Sequence, residues 1–184
     1  MIINTFYKTD TIIDGIKYNP PSEIDNDGYS IELIWKNENG EHHNENGPAV
    51  IQYDQNGNVS YKEWCINGKR HNENSPAVIY YDENKNVKYK EWWINNKLHN
   101  ENGPAIIRYD QNGNIEYKSW FVNGKCHNEN GPAYISYYSS GNIKYKSWYI
   151  NGKRHNENSP AIIEYDGNGK ITKQEYWKNG KQIK

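Results

Sequence analysis

The chain has little aliphatic material for its length. Only 34% of its 184 residues are hydrophobic, and these include one methionine and two cysteines. No apolar run approaches the roughly 18 residues that a membrane helix needs. The opening residues show no basic segment followed by a long apolar run, so no signal peptide is predicted. The net charge of −1 produces no electrostatic field that would attract the protein to nucleic acid or anionic membranes. The default expectation is a cytoplasmic protein.

Disulfide bonds are not expected. Cys65 and Cys126 occupy different positions of an internal repeat and are about two units apart. Two units of two strands each correspond to roughly 20 Å in a stacked sheet. A disulfide needs Cα atoms within about 7 Å. We therefore expect free thiols, which agrees with a reducing compartment.

Aromatic residues are abundant where aliphatic residues are scarce. The chain holds 17 Tyr and 7 Trp, and aromatic residues make up 14% of it. This is too many for a disordered chain. Large rings cover much area at a small cost in rotamer entropy, so they suit a thin sheet better than a thick core.

One short segment occurs five times, beginning with "HNEN" and continuing to "PA". The repeat interval of 28 residues is kept by three columns of residues. They are His43, His71, His99, His127 and His155; Trp64, Trp92, Trp120 and Trp148; and Tyr61, Tyr89, Tyr117 and Tyr145. A fixed period of this size indicates a repeat architecture. We expect the His-Asn-Glu-Asn segment to be the joint between units.

The pattern within a unit predicts β-structure. Ala49, Ile51 and Tyr53 alternate with more variable residues, which is a period of two. "DQNGN" and "INGK" predict two hairpin turns per unit, with Gly57 available for the left-handed position of the first. The segment from Lys69 to Asn72 is predicted to return as a short strand. The second strand alternates less cleanly. Either a β-bulge lies near Lys62-Glu63, or the sheet carries apolar residues on both faces. The predicted fold is all-β: an elongated, twisted antiparallel sheet of stacked hairpins with almost no helix.

The ends of the chain differ from its middle. Residues 1–40 contain no clear copy and are predicted to be an N-terminal cap with a degenerate half-repeat. Residues 41–169 are predicted to hold the tandem 28-residue hairpin repeats. Residues 170–184 are predicted to be a C-terminal closing strand, because terminal units of repeat proteins are often atypical.

The elements "YKEW.(I/V)NGK" and "NGN(V/I)..Y" resemble MORN-type repeats. The 28-residue "GPA…W.(V/I)NGK.H" unit is similar to repeats of giant-virus, phage and bacterial antitoxin-like proteins. The resemblance covers about residues 39–184, and the His-Asn-Glu-Asn-Gly/Ser-Pro segment departs from it. It implies a scaffold or docking module made of an extended antiparallel sheet.

Four kinds of functional site are alternatives to a purely structural role for the repeated residues. His71 with Glu73 could bind metal, but equivalent histidines about 10 Å apart cannot share one ion. The "DQNGN" loop has Cys65 where a calcium loop needs glutamate. Cys126 and His127 point to opposite faces of a strand, which argues against catalysis. The lysine column could hold single-stranded nucleic acid, but acids match bases almost one for one. We expect no metal, cofactor, enzymatic activity or nucleic acid.

An interaction surface is the favoured hypothesis. The position after the constant tryptophan stays apolar but varies, and with the lysine column it predicts a partner-binding ridge: Trp93, Phe121, Tyr149, Lys62, Lys90, Lys118 and Lys146. The open alternative is that both sheet faces are buried, by sheet pairing or a homodimer. The expected function is a non-enzymatic scaffold for protein–protein interaction, as in a giant-virus structural or accessory protein. A viral protein of this kind would be expected in the host cytoplasm or the virion. The runner-up is an antitoxin or immunity-type inhibitor of a partner enzyme, and a third class is a carbohydrate or lipid binder.

Overall fold

The computed structural model describes residues 11–13, 16–26 and 30–183, and these residues contain strands and turns but no helix. Twelve strands form one antiparallel sheet, and the other strands pair in two-stranded ribbons. The expectation of an all-β fold of stacked hairpins is therefore confirmed. Eleven spacings of about 4.8 Å make the sheet roughly 50 Å long across its strands.

The described part of the N-terminal region contributes four strands. They are β1 (Thr11–Ile13), β2 (Ile16–Tyr18), β3 (Glu23–Asn26) and β4 (Ile31–Ile34). Strands β3 and β4 begin the twelve-stranded sheet, whereas β1 and β2 pair only with each other. The expectation of a cap over residues 1–40 falls partly on residues 1–10, 14–15 and 27–29, which lie outside the described residues, as does Lys184 at the other end.

Each unit of the repeat then contributes a long hairpin and a short hairpin. The units begin at Pro48, Pro76, Pro104, Pro132 and Pro160 and are numbered one to five. The long hairpins are β5 (Val50–Tyr53) with β6 (Val59–Glu63), β9 (Val78–Tyr81) with β10 (Val87–Glu91), β13 (Ile106–Tyr109) with β14 (Ile115–Ser119), β17 (Tyr134–Tyr137) with β18 (Ile143–Ser147), and β21 (Ile162–Tyr165) with β22 (Ile171–Glu175). The short hairpins are β7 (Cys65–Ile66) with β8 (Lys69–Arg70), β11 (Trp93–Ile94) with β12 (Lys97–Leu98), β15 (Phe121–Val122) with β16 (Lys125–Cys126), β19 (Tyr149–Ile150) with β20 (Lys153–Arg154), and β23 (Trp177–Lys178) with β24 (Lys181–Gln182).

The turn of the long hairpin is held by an aspartate. Oδ1 of Asp54 accepts backbone N–H groups of Asn56 at 2.9 Å and Asn58 at 2.8 Å. Gly57 takes the left-handed conformation at φ 77°, as predicted, and Lys85 is held there at φ 67° in the second unit. The Asp side chain thus replaces a backbone partner in the turn.

The turn of the short hairpin is the predicted Asn-Gly turn. Asn67 and Gly68 have φ values of 47° and 69°, and a two-residue hairpin turn with both central residues at positive φ is type I′. The return strand predicted over Lys69 to Asn72 follows directly, and in the structure it spans Lys69–Arg70. Only Trp64 separates β6 from β7, so the strands of each unit follow one another as a meander. The His-Asn-Glu-Asn segment lies at the end of the unit and leads to the next one.

The bulge lies earlier than the sequence predicts. Gln52 pairs with Tyr61 whereas Tyr53 pairs with Val59, so the extra residue is Ser60, and pairing at Lys62-Glu63 is regular. The prediction of a bulge at Lys62-Glu63 is wrong. Because neighbouring strand residues point to opposite faces, Tyr61 and Lys62 lie on opposite faces of the sheet.

The two faces can now be named by their residues. The constant face carries the cross-strand partners Leu33, Ile51, Lys62 and Ile79 and their equivalents. The variable face carries Glu32, Gln52, Tyr61 and Tyr80, together with Val50, Glu63 and Val78, and their equivalents.

Both faces carry apolar residues, as the alternative prediction required. On the constant face, Leu33, Ile51 and Trp35 pack with Tyr18 of the N-terminal region. On the variable face, Val50, Tyr61 and Val78 form a second cluster. The alanine column is fully buried along the whole repeat: Ala49, Ala77, Ala105, Ala133 and Ala161. The buried residues of this thin sheet are therefore divided between its two faces and the alanine column.

Candidate interaction surface

The repeated histidine joins each unit to the next. Nδ1 of His99 accepts the backbone N–H of Asn123, the first residue of the next Asn-Gly turn, at 3.2 Å. The same contact, at 3.1 to 3.4 Å, is made by His43 to Asn67, His71 to Asn95, His127 to Asn151 and His155 to Asn179. An acceptor role for Nδ1 places the proton of a neutral ring on Nε2, which faces the carboxylate of Glu101 at 3.7 Å. This geometry is the joint that the sequence predicts.

The asparagine after each histidine completes that joint. The backbone N–H of Asn100 donates to the carbonyl of Phe121 in the next unit at 3.1 Å. Its side-chain Nδ2 donates to the carbonyl of Pro104 at 3.0 Å, and its Oδ1 accepts the N–H of Asn102. One asparagine thus shapes its own loop and pairs with the neighbouring unit, which explains why the segment is constant.

The polar side chains of the repeat make hydrogen bonds within the fold instead of forming a ligand site. Within residues 11–13, 16–26 and 30–183, no group of three or more His, Cys, Asp or Glu side chains could hold a metal ion. The aspartates of the calcium-like loops accept backbone hydrogen bonds instead. The N–H of Asn58 is the main cause that lowers the pKa of Asp54, and Asn86 acts in the same way on Asp82.

Neither cysteine is an activated thiol. Both are free. Burial, together with the neighbouring Glu63 carboxylate, raises the pKa of Cys65 to about 12, and burial raises the pKa of Cys126 to about 11. A nucleophilic cysteine needs the opposite shift, because the thiolate is the reactive form.

The three predicted ring residues lie on the variable face, on the first strands of the short hairpins. Trp93, Phe121 and Tyr149 are half-buried. Trp93 packs against the cluster of Val50, Tyr61 and Val78, and its Nε1 donates to Glu91 at 2.8 Å. The Arg70 guanidinium lies 5.4 Å from the Trp93 ring centroid, so part of this ring is already covered.

The predicted lysines lie on the other face. Lys62 is cross-strand to Ile51 and Ile79 on the constant face and is 8% exposed. The lysine ammonium groups lie over tyrosine rings of the next unit: Lys62 over Tyr81, Lys90 over Tyr109 and Lys146 over Tyr165, at 5.7 to 6.0 Å. Lys118 has the equivalent position, opposite Ile107 and Ile135. The structure does not bring the lysines and the ring residues together in one ridge; whether either set binds a partner stays a prediction.

The structure reveals a row of tyrosines on the variable face that the sequence reasoning did not select. Ring centroids are 4.7 Å apart for Tyr61 and Tyr80, and 5.9 Å apart for Tyr80 and Tyr89. A second group joins Tyr117 to Tyr134 at 5.6 Å and Tyr134 to Tyr145 at 5.9 Å. Tyr80 is 40% exposed. The sequence does contain a signal for this row. The constant tyrosine column that begins at Tyr61 is cross-strand to one variable position, which holds Gln52, Tyr80, Arg108, Ser136 and Glu164.

Half-buried glutamates anchor one end of this row. Glu63 accepts hydrogen bonds from the Tyr61 hydroxyl and, at 2.9 Å, from Nε of Arg70. Desolvation opposes its ionised form, but these two donors outweigh it and lower its pKa. Burial and this carboxylate raise the pKa of Tyr61. In units three and four the glutamate is replaced by Ser119 and Ser147, so the anchoring is local to particular units.

Differences among the units are concentrated on one face. The constant face repeats isoleucine, lysine and tyrosine columns with almost no change along the chain. On the variable face, only the column that begins at Tyr61 is maintained in four units. The others differ from unit to unit: Val50, Val78, Ile106, Tyr134 and Ile162; Glu63, Glu91, Ser119, Ser147 and Glu175; and Cys65, Trp93, Phe121, Tyr149 and Trp177.

No protein-family model matches the chain, and comparison with curated proteins finds no relative. Among the residues that the structure describes, there is no helix with the length and apolar character needed to cross a membrane.

Proposed function

We propose that the protein is a non-enzymatic repeat scaffold that binds a protein partner through its variable face. The observation that carries this proposal is the separation of constant and varied positions between the two faces. Packing between units requires the same residue in every unit, and the constant face and the joints satisfy that requirement. A partner of irregular shape requires different residues along the sheet, and those lie on the variable face.

The chemistry of the variable face suits protein recognition. Its central row reads Gln52, Tyr61, Tyr80, Tyr89, Arg108, Tyr117, Ser136, Tyr145 and Glu164. Tyrosine provides a large contact area at low entropic cost, arginine is enriched at binding hot spots, and serine adapts its hydrogen bonds. Neighbouring rings hold one another in place, which reduces the entropy lost on binding. This proposal replaces a mixed aromatic and lysine ridge with one aromatic face.

Photo-crosslinking tests the choice of face. A benzophenone amino acid is placed at Tyr80 on the variable face, or at Tyr109 on the constant face, and each protein is irradiated in its native host. The proposal expects a discrete crosslinked protein from the Tyr80 position and none from Tyr109. The same product from Tyr109 alone, or equally from both positions, would contradict it.

An assay of the captured partner distinguishes an inhibitor from a structural scaffold. If that partner is an enzyme, its activity is measured after stoichiometric mixing with the purified protein. Loss of activity assigns the scaffold to the antitoxin or immunity class. Unchanged activity leaves a structural scaffold, and capture of a second copy of the chain indicates self-assembly through the same face.

A further inference from the structure

A groove lies on the variable face between the second and third units. Its volume is about 430 Å³, and it is lined by Tyr80, Lys88, Tyr89, Arg108 and Tyr117 of this face. Tyr81, a residue of the constant-face tyrosine column, also lines it, at the point where the register shifts. This volume is at the lower end of the range for ligand sites, so it suits a side chain or a short turn. The tyrosines provide its apolar walls, and two cations lie among them.

Arg108 occupies the centre of the tyrosine row. It is cross-strand to Tyr89 on one side and to Tyr117 on the other. The equivalent positions hold Gln52, Tyr80, Ser136 and Glu164, so the third unit has a cation where the other units have none. Because the backbone of the units is the same, this residue changes the chemistry of the row without changing its fold.

The guanidinium retains donors for a ligand. Nε of Arg108 contacts Oε2 of Glu116 at 2.8 Å, and both side chains are close to half exposed. A guanidinium has five N–H donors, and in the described part of the chain the ion pair of Arg108 is with this one exposed carboxylate. An exposed ion pair of this kind contributes little stability, so a second carboxylate can share or displace Glu116. Arginine binds carboxylates through two parallel hydrogen bonds, which favours a planar acidic group.

The carboxylate of Glu91, two residues from Tyr89 on the same strand, is already held by hydrogen bonds. Glu91 accepts from the Tyr89 hydroxyl and from Nε1 of Trp93, both at 2.8 Å. Lys88 is exposed at the bulge beside the groove. The groove therefore offers two cations, one paired acid on its rim and several ring faces.

We propose that this groove binds an acidic segment of the partner protein, with an Asp or Glu carboxylate on Arg108 and Lys88 and neighbouring side chains against the tyrosine rings. The inference rests on the proposed function and names the chemistry that the partner brings to it. Lysine adds charge at the rim, whereas arginine fixes the orientation of the carboxylate, so Arg108 has the larger role.

The test uses the full chain, labelled with nitrogen-15, and two capped peptides, Gly-Glu-Tyr-Glu-Gly and Gly-Gln-Tyr-Gln-Gly, titrated to about 10 mM to reach weak affinities. The proposal expects the glutamate peptide to bind about tenfold more tightly than the glutamine peptide and to shift the amides of Tyr89, Arg108 and Tyr117. Arg108→Gln, which installs the residue of the first unit, should weaken binding about tenfold, and Lys88→Gln by less. Lys144→Gln, at the equivalent bulge position two units away, is the matched control and should bind as the parent does.

Each outcome has a meaning. Absence of saturable shifts with the glutamate peptide, equal affinity for both peptides, or unchanged affinity of Arg108→Gln overturns the acidic-segment proposal. Equal shifts by both peptides at the groove would leave the variable face as the binding face, because only the charge requirement would have failed. Shifts confined to the constant face would contradict the proposed function itself. Backbone amide spectra of each variant confirm that the fold is retained.

Discussion

The position before each proline of the repeat holds either glycine or serine, and the structure explains one of these choices. A Cβ built on Gly47 would lie 2.1 Å from Cε1 of Tyr18, because the Tyr18 ring rests on this glycine. At Gly103 the nearest atom would be Nδ2 of Asn100, at 3.7 Å. The position before the first unit thus needs glycine to receive the N-terminal region, whereas the position before the third unit tolerates a side chain.

Gly47→Ser should therefore be costly and Gly103→Ser almost neutral. The first substitution displaces Tyr18 from its cluster with Leu33 and Trp35, and we expect a loss of about 1–3 kcal/mol in the free energy of unfolding. The second should stay within about 0.5 kcal/mol. Urea unfolding of both variants checks this, and equal losses would show that Tyr18 does not hold the cap in place.

The left-handed residue of the long-hairpin turn supports a second prediction. Lys85 has φ 67°, where the equivalent residues are Gly57, Gly113, Gly141 and Gly169. Holding a residue with a side chain in this conformation costs about 1–2 kcal/mol, and glycine removes that cost. Part of the resulting stabilisation is offset because glycine gives the unfolded chain a larger conformational entropy. Lys85→Gly should stabilise the protein by about 0.5–1 kcal/mol in thermal or urea unfolding. The reverse change, Gly113→Lys, should destabilise it; a stable Gly113→Lys together with a weakened Lys85→Gly would refute the strain argument.

At the scale of elements, the long-hairpin turns should be sensitive to acid. Backbone N–H groups, that of Asn86 above all, lower the pKa of Asp82 in the folded protein. A group whose folded pKa lies below its unfolded pKa contributes stability above the unfolded value, and this contribution disappears as the pH falls through the folded value.

Asp82→Asn provides the comparison, because asparagine keeps the acceptor oxygen but does not titrate. Relative to this variant, the parent protein should lose stability as the pH is lowered from neutral through the carboxylate range, near 4. The difference is measured by urea unfolding at several pH values. A difference that stays constant, or that favours the parent at low pH, would contradict the assigned hydrogen bonds.

The joints between units can be tested one at a time. His99→Ala removes the acceptor of the Asn123 N–H, and a lost hydrogen bond of this kind costs about 0.5–1.5 kcal/mol. The Asn123 amide should exchange faster with solvent, whereas the Asn151 amide, which is bonded to His127, should exchange as before. Nitrogen-15 exchange spectra resolve both amides. Unchanged exchange at Asn123 would mean that the histidine does not hold the joint.

Elements of this fold were predictable where a local signal sets them. The 28-residue period, the Asn-Gly turns and the left-handed Gly57 follow from residue types whose backbone preferences are strong. The bulge at Ser60 was not predictable, because its position holds Lys88, Glu116, Lys144 and Thr172 in other units and has no constant chemistry. A shift of one residue reverses the face of every later side chain. This is why the sequence placed lysines and ring residues on one ridge that the structure divides between two faces.

At the scale of the whole molecule, a thin sheet leaves two large faces to account for. The N-terminal region covers part of the constant face through Tyr18 and Trp35. Elsewhere, each unit is stabilised mainly by its neighbours through joints, alanine contacts and ring packing, as in other repeat proteins. Changes on the variable face should therefore alter binding more than folding.

The most direct test makes that face uniform and leaves the constant columns untouched. Tyr80, Arg108, Ser136 and Glu164 are all replaced by glutamine, the residue that Gln52 supplies in the first unit. We expect the folded sheet to remain, with a loss of no more than about 1–2 kcal/mol from the lost Tyr61–Tyr80 contact. Binding of the crosslinked partner is then measured by calorimetry. The account predicts that the variant folds and no longer binds; a folded variant that binds as tightly as the parent would contradict it.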